Sequence, residues 1–129
     1  MTEYLSIRQV LDIHAEHLRH HGGASGLRDR GALESALARP AMTFGGEDLY
    51  PDPPAKAAAL MHSLAVNHPF VDGNRRVSAH AAILFVLLNG FEPLMSSDDL
   101  VATALAVAEG KVEAEALAIW FRQRLRSIE

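Results

Sequence analysis

The sequence predicts an all-α protein: a compact helical bundle around a central apolar helix, built as a single domain over residues 1–129. Apolar side chains recur at the three- and four-residue spacing of amphipathic helices through most of the chain. The links between these stretches are short and carry the glycine, proline and capping residues at which helices begin and end. Residues 81–88 are apolar on every face, so we expect them at the centre of the bundle.

Composition narrows the class of protein. The chain has 129 residues, of which 49% are hydrophobic and 22% charged, which is enough to bury a core. A net charge of −4 gives no basic field, so direct nucleic-acid binding is not expected. The absence of cysteine excludes disulfides and cysteine–zinc sites. With no membrane-length apolar run and no signal-peptide pattern, the sequence favours a cytoplasmic location without membrane contact.

The first helix is predicted to begin after Ser6 and to end near His21, where Gly22 and Gly23 stop it. It carries four of the seven histidines. His17 and His21 lie one turn apart and are candidates for a metal pair, but no carboxylate completes an H-E-x-x-H pattern. For the histidines of this helix, which are His14, His17, His20 and His21, solvent-facing side chains are favoured over a metal site, although His14 also recurs at helical spacing with Val10, Leu11 and Leu18.

A second, short helix is predicted over residues 30–38, with Asp29 as its cap and Pro40 after it. Residues 41–53 are the least regular part of the chain because they contain paired glycines and several prolines. Two short apolar–polar pieces, Thr43–Phe44 and Leu49–Tyr50, flank the glycines. They suit either a two-stranded flap or a plain surface loop, and the residues alone do not decide between these structures.

The rest of the chain has a helical pattern. Pro54 suits the first turn of a helix that runs to Asn67, and another helix follows over residues 76–89. A further helix starts at Ser97 or Asp98 and reaches residue 110. The last begins at residue 113 and is predicted to carry its apolar stripe as far as Leu125, with three nearby arginines as solubilising charge.

The junction between the third and fourth helices concentrates residues that carry chemistry. Asp72, Gly73 and Asn74 are all plausible N-caps, and with any of them Arg75 and Arg76 fall in the first helical turn. A cation at that end of a helix costs about 0.3–1 kcal/mol, where an anion would gain as much. Two arginines there therefore indicate that an anion binds at this helix start.

The neighbouring side chains suggest which anion. Asp72 offers a hard oxygen for Mg²⁺, the usual companion of nucleotide phosphates. Gly73 lets the backbone approach a ligand closely, and His68, as a histidine, is a candidate general base. A plainer interpretation makes Asp72 only a cap, Phe70 only a core side chain and the arginines surface ion pairs. The occurrence of all these groups within nine residues favours a phosphate site.

Residues 68–76, which read H-P-F-V-D-G-N-R-R, resemble the Fic motif H-P-F-x-D/E-G-N-x-R. The chain as a whole resembles the death-on-curing (Doc) toxins, the short branch of the Fic superfamily. The likeness covers nearly the full length, including residues 20–29, 31–40, 44–50, 56–60, 88–91 and 106–110. It implies the Fic/Doc helical fold with a flap that holds the target chain, here formed by Thr43, Phe44, Gly45 and Gly46.

The resemblance also implies a role for most residues of the motif. His68 would take the proton from a hydroxyl of a target protein, and Asp72 would hold Mg²⁺ on the phosphates of ATP. Gly73 and Asn74 would form an anion hole at the helix start, and Arg76 would clamp a phosphate. Phosphoryl transfer depends mainly on positioning and charge stabilisation, so this set is chemically sufficient.

Two departures from the AMP-transferring members bear on the reaction. Those members have glycine at the position of Arg75 and a second arginine at that of Ala79, whereas Doc proteins usually have lysine at the first and lack the second. In Doc proteins ATP is thought to bind reversed, with its γ-phosphate towards the base, so the resemblance implies phosphate transfer. Pro69 and Phe70 would stiffen and anchor the loop. His80 would either face the ATP and phosphate site or lie on the helix surface.

The function implied is that of a toxin of a type II toxin–antitoxin system. It would transfer the γ-phosphate of ATP to a threonine of a translation factor, elongation factor Tu, and arrest translation. A Phd-like antitoxin would bind it through a segment that folds on binding. The alternatives are AMP transfer to a protein hydroxyl, which Arg75 argues against, and a non-catalytic antitoxin-binding or co-repressor module. The intact motif argues against that module.

Overall fold

A computed structural model describes residues 1–128, and within them the fold is mainly helical, as predicted. The six α-helices are α1 (Ile7–His21), α2 (Arg30–Ala38), α3 (Pro53–Asn67), α4 (Asn74–Leu88), α5 (Ser97–Ala108) and α6 (Ala114–Arg122). A 3₁₀ turn, Arg39–Ala41, follows α2. Two antiparallel pairs of short strands complete the described fold, β1 (Thr43–Phe44) with β2 (Glu47–Asp48) and β3 (Phe91–Pro93) with β4 (Leu125–Ser127).

The centre of the bundle is α3. Eleven of its 15 residues are buried, and it packs against α2, α4, α5 and α6. The prediction that residues 81–88 lie wholly at the centre is wrong at the end of that stretch, because Leu87 and Leu88 are 46% and 41% exposed. Their helix ends at the surface, where the chain turns towards β3.

Each helix around α3 contributes fully buried apolar side chains to one core. They include Val10, Leu33, Phe85, Leu117 and Phe121. Burying a side chain of this size contributes about 1.5–3 kcal/mol, so this core holds the bundle together. In residues 1–128 no helix combines the length and the hydrophobicity that crossing a membrane requires.

The helix starts follow the predicted caps closely. Ser6 and Gln9 form a reciprocal capping box at α1, and Asp29 accepts a hydrogen bond from the N–H of Ala32 at α2. The fifth helix begins at Ser97, with Ser96 as its cap. Local chemistry therefore sets where these helices begin.

The last helix is shorter than predicted. It ends at Arg122, and Leu125 lies in β4, where it pairs with Pro93. The three arginines, predicted as solubilising charge, each have a partner. Arg122 forms an ion pair with Asp52, Arg124 lies over the ring of Trp120, and Arg126 forms an ion pair with Glu92.

The flap is a hairpin. Its first strand is Thr43–Phe44, as predicted, but its second strand is Glu47–Asp48 and not the predicted Leu49–Tyr50, because the turn takes only Gly45 and Gly46. Thr43 pairs with Asp48 and Phe44 pairs with Glu47. Gly45 and Gly46, at the turn, have φ angles of 61° and 83°, which glycine adopts without strain. Phe44 is 82% exposed at the end of β1.

A buried lysine ties this flap to the central helix. Lys56 is only 2% exposed, and its Nζ donates hydrogen bonds to the carbonyl of Pro40 at 3.1 Å and to Oδ2 of Asp48 at 3.2 Å. The same ammonium lies 5.6 Å from the centre of the Tyr4 ring. A buried charge needs such partners, so the start of α3 and the base of the flap are coupled.

Candidate active site

The loop between α3 and α4 is held against the segment between α1 and α2. Leu27 and Phe70 form an isolated antiparallel bridge. Three backbone hydrogen bonds of 2.8–3.0 Å join these segments, from Val71 to Gly26 and from Arg28 and Asp29 to Pro69. These bonds hold residues 69–71 of the loop against residues 26–29, as in a short antiparallel strand pair.

Asn74 closes the loop from inside. Its Nδ2 donates to the carbonyl of Phe70 at 2.9 Å, and its Oδ1 accepts from the N–H of Phe70 at 3.0 Å. The ring of Phe70 is buried and stacks on His14, with 3.9 Å between ring centroids. Because both polar atoms of the Asn74 side chain are engaged here, its contribution to an anion hole would come from its backbone N–H.

His68 has an unusual backbone conformation. It is the C-cap of α3 and has a φ of 48°, the one positive φ among the non-glycine residues of the described chain. The left-handed conformation costs an ordinary residue about 1–2 kcal/mol, so surrounding contacts must maintain it. Its carbonyl accepts a 2.6 Å hydrogen bond from Nε of Arg28.

The N-terminus of α4 is open. The N-cap of α4 is Gly73, one of the three predicted candidates, and its φ is 83°. No side chain of the described residues caps this end of the helix. Helix geometry therefore leaves the N–H groups of Asn74, Arg75 and Arg76 without an intrahelical acceptor. Within residues 1–128 neither guanidinium has a carboxylate partner, which removes the interpretation of these arginines as surface ion pairs.

Asp72 lies at the other side of this opening. Its Oδ1 accepts from the N–H of Gly73 at 2.9 Å and its Oδ2 from the N–H of Ala24 at 3.2 Å. Its backbone carbonyl is 2.9 Å from Nε2 of His14. A Cβ at Gly23 would lie 2.8 Å from Oδ2, so the glycine loop after α1 makes room for the carboxylate.

The Asp72 carboxylate fits a magnesium ligand. It is exposed, and each oxygen keeps a free lone pair beyond its one hydrogen bond. The described residues contain no group of three histidines, cysteines or acids that could hold a metal. Mg²⁺ at nucleotide sites is usually held by one or two carboxylates together with phosphates and water, so a single carboxylate suffices.

These groups share one cavity of about 550 Å³. The structure thus brings together six of the predicted site residues, His68, Asp72, Gly73, Asn74, Arg75 and Arg76. Pro69 and Phe70, within the same loop, are buried, and their role as loop anchors stays a prediction. The flap residues 43–46 are exposed and lie outside the lining of this cavity.

A smaller cavity of about 280 Å³ adjoins the first and shares His17, His21 and Arg76 with it. His80 lines this second cavity together with Ala79, and its ring centre is 6.4 Å from that of His17. Contact of His80 with ATP remains a prediction.

His17 lies where the two cavities meet. Burial, followed by the nearby charges of His21, Arg76, His80 and His14, lowers the pKa of His17 to about 4. Its Nε2 is buried and has no hydrogen-bond partner among the described residues. The ring is therefore neutral at pH 7.

The prediction that all four histidines of α1 face solvent is wrong for His14, which is 6% exposed, and only partly right for His17. His14 follows Val10 by one helical turn on the buried stripe, as the helical spacing noted in the sequence indicated. His20 and His21 are exposed, as predicted. Sequence reasoning also missed the role of Arg28, whose guanidinium donates hydrogen bonds to the carbonyls of Asn67 and His68.

The fold and the site define a class of protein: a helical domain in which a histidine and a carboxylate face the open, arginine-flanked N-terminus of a helix. Residues 4–86 match the model of the Fic/DOC family, and the chain belongs to that family. The resemblance found in the sequence is confirmed.

Two relatives illustrate the match. Over 92 residues the chain is 46% identical to Toxin Doc of Mycolicibacterium smegmatis (strain ATCC 700084 / mc(2)155), covering 71% of this chain and 68% of that protein. Over 126 residues it is 25% identical to Protein kinase doc of Escherichia phage P1, covering 98% of both.

Proposed function

We propose that this protein is a cytoplasmic toxin of a type II toxin–antitoxin system. It transfers the γ-phosphate of ATP to a threonine hydroxyl of elongation factor Tu and so arrests translation. The observation that carries the proposal is the open start of α4. There, unpaired N–H groups and the guanidiniums of Arg75 and Arg76, which have no carboxylate partner in residues 1–128, line one cavity with His68 and Asp72. The similarity to a toxin, Toxin Doc, and to a protein kinase, Protein kinase doc, supports the same function.

In this mechanism the phosphates of ATP lie on the N–H groups at the start of α4, and Arg76 clamps one of them. The hydroxyl oxygen of the target attacks the γ-phosphorus while His68 takes its proton. The bond from the γ-phosphorus to the bridging oxygen breaks, and ADP leaves. When bound by Asp72, Mg²⁺ neutralises phosphate charge.

Two residues favour phosphate transfer over AMP transfer. Arg75 occupies the first turn of α4, where AMP-transferring members have glycine, and it lines the cavity. Ala79 lies one turn further along α4, buried and without charge, so the second arginine of those members is absent. An arginine at position 75 differs from the usual lysine of Doc proteins in shape, but it still supplies a cation to a phosphate.

Control is proposed to come from a Phd-like antitoxin. The toxin relatives imply such a partner, and an antitoxin segment that folds on binding would suit a site that stays open. The flap over residues 43–46 would hold the segment of elongation factor Tu that carries the threonine.

The test is to incubate the purified protein with elongation factor Tu, Mg²⁺ and ATP, and to measure the intact mass of the factor. We expect a gain of one phosphate, absent with His68→Ala. A gain of one AMP would mean that the protein transfers AMP and not phosphate.

Growth arrest in cells provides the second measurement. Arrest by the wild type without any change in elongation factor Tu would mean another target. Arrest that persists with His68→Ala would overturn the catalytic function in favour of a binding module.

A further inference from the structure

One residue outside the motif binds three consecutive carbonyls at the end of α3. The guanidinium of Arg28 donates from Nε to the carbonyl of His68 at 2.6 Å and from Nη2 to that of Asn67 at 2.8 Å. The backbone N–H of Arg28 donates to the carbonyl of Pro69 at 2.8 Å. These three carbonyls cover the point at which the helix ends and the loop turns.

The chemistry of this end explains why an arginine is suited to it. The last carbonyls of a helix have no intrahelical donor and carry a partial negative charge. A guanidinium offers two donors in one rigid plane, so it can fix the direction of two neighbouring carbonyls together. Glycine usually supplies the left-handed residue at such a terminus, but here that residue is His68.

We propose that Arg28 is a positioning residue for the transfer reaction. By holding the carbonyls of Asn67 and His68, it keeps His68 in the left-handed conformation and directs its imidazole to the cavity. Arg28 does not line that cavity, so it acts through the backbone of His68 and not on the substrate. The catalytic consequence rests on the proposed function.

Arg30 offers a matched control. It is also an exposed arginine, two positions further along the chain at the start of α2. Its side chain makes no hydrogen bond or ion pair with the described residues. Arg30→Ala therefore removes the same charge from the same region without touching the loop.

The kinetic test compares Arg28→Ala, Arg28→Lys and Arg30→Ala. We expect Arg28→Ala to lower kcat about 100-fold, because a displaced base loses near-attack geometry, and to leave KM for ATP within about threefold, because the start of α4 is intact. Arg28→Lys should lie between, since an ammonium cannot bind both carbonyls in one plane. Free guanidinium ion, well below denaturing concentration, should partly restore Arg28→Ala, because the site is exposed.

A second measurement needs no activity. The backbone ¹³C chemical shifts of His68 report its φ, and in Arg28→Ala they should move away from the left-handed range while those of Arg30→Ala stay. Unchanged shifts, or a kcat equal to that of Arg30→Ala, would overturn the proposal. If the wild type leaves elongation factor Tu unmodified, the proposed target fails, while the shifts and the growth-arrest comparison of the same variants still decide the role of Arg28.

Discussion

The closure of the active-site loop by Asn74 allows a quantitative prediction. Asn74→Ala removes two hydrogen bonds, of 2.9 and 3.0 Å, to the carbonyl and N–H of Phe70. Each is worth about 1 kcal/mol net, and leaving a buried group unsatisfied costs more. Phe70 is 1% exposed, so water reaches its backbone poorly. We expect the free energy of unfolding to fall by about 2–3 kcal/mol.

Asn67→Ala is the matched control. It removes one hydrogen bond, from Nδ2 to the carbonyl of Ala32 at 3.2 Å, so it should cost about 1 kcal/mol. Asn74→Asp keeps the acceptor for the N–H of Phe70 but loses the donor to its carbonyl, and should fall between the two. Urea unfolding followed by the fluorescence of Trp120, the single tryptophan, measures all three. A loss for Asn74→Ala no larger than that for Asn67→Ala would refute the closing role of this side chain.

Three further predictions follow from the same site. Gly23→Ala should lower phosphate transfer at least about tenfold by displacing Asp72. Gly22 has a φ of 73° and nothing within 4 Å of an added Cβ, so Gly22→Ala should affect only stability. Equal activities of the two variants in a transfer assay would contradict this prediction. The pKa of His17 is about 4 in the folded protein, against 6.5 for an unperturbed histidine. As the pH falls, the histidine of the unfolded chain therefore binds its proton before that of the folded protein does. The free energy of unfolding should accordingly fall as the pH drops from 6.5 to 4. For this partly solvated ring we expect about 1 kcal/mol, seen in urea titrations as a slope that His17→Gln lacks. Lys56→Met should speed hydrogen exchange in the flap while changing global stability by less than about 1 kcal/mol; unchanged exchange would show that the lysine does not hold the flap.

Much of the fold could be predicted because its signals are local. Ser6, Asp29 and the paired glycines after His21 act within one turn of the helix ends they set. The motif placed His68 and Asp72 around a helix start for the same reason, since a nine-residue junction leaves them few other positions.

The parts that could not be predicted depend on contacts between distant residues. Phe121 and Leu125 are four apart, which suits a helix, but Leu125 pairs with Pro93 across the chain. Arg28 is 40 residues from His68, and no short pattern reports that bond. Leu87 and Leu88 are exposed because no other part of the described fold covers them, and the identity of a residue alone does not report such cover.

The turn after α4 has a mechanical consequence. The backbone N–H of Glu3 donates to Oδ1 of Asn89 at 2.8 Å, and Nδ2 of Asn89 donates to the carbonyl of Glu3 at 2.9 Å. The N–H of Ile128 donates to the carbonyl of Gly90 at 2.9 Å. A pulling force applied near residues 3 and 128 would therefore load one small junction, on the far end of α4 from Gly73. In a force-spectroscopy experiment that junction should rupture first, and the loop that carries His68 would be shielded from the load until it does.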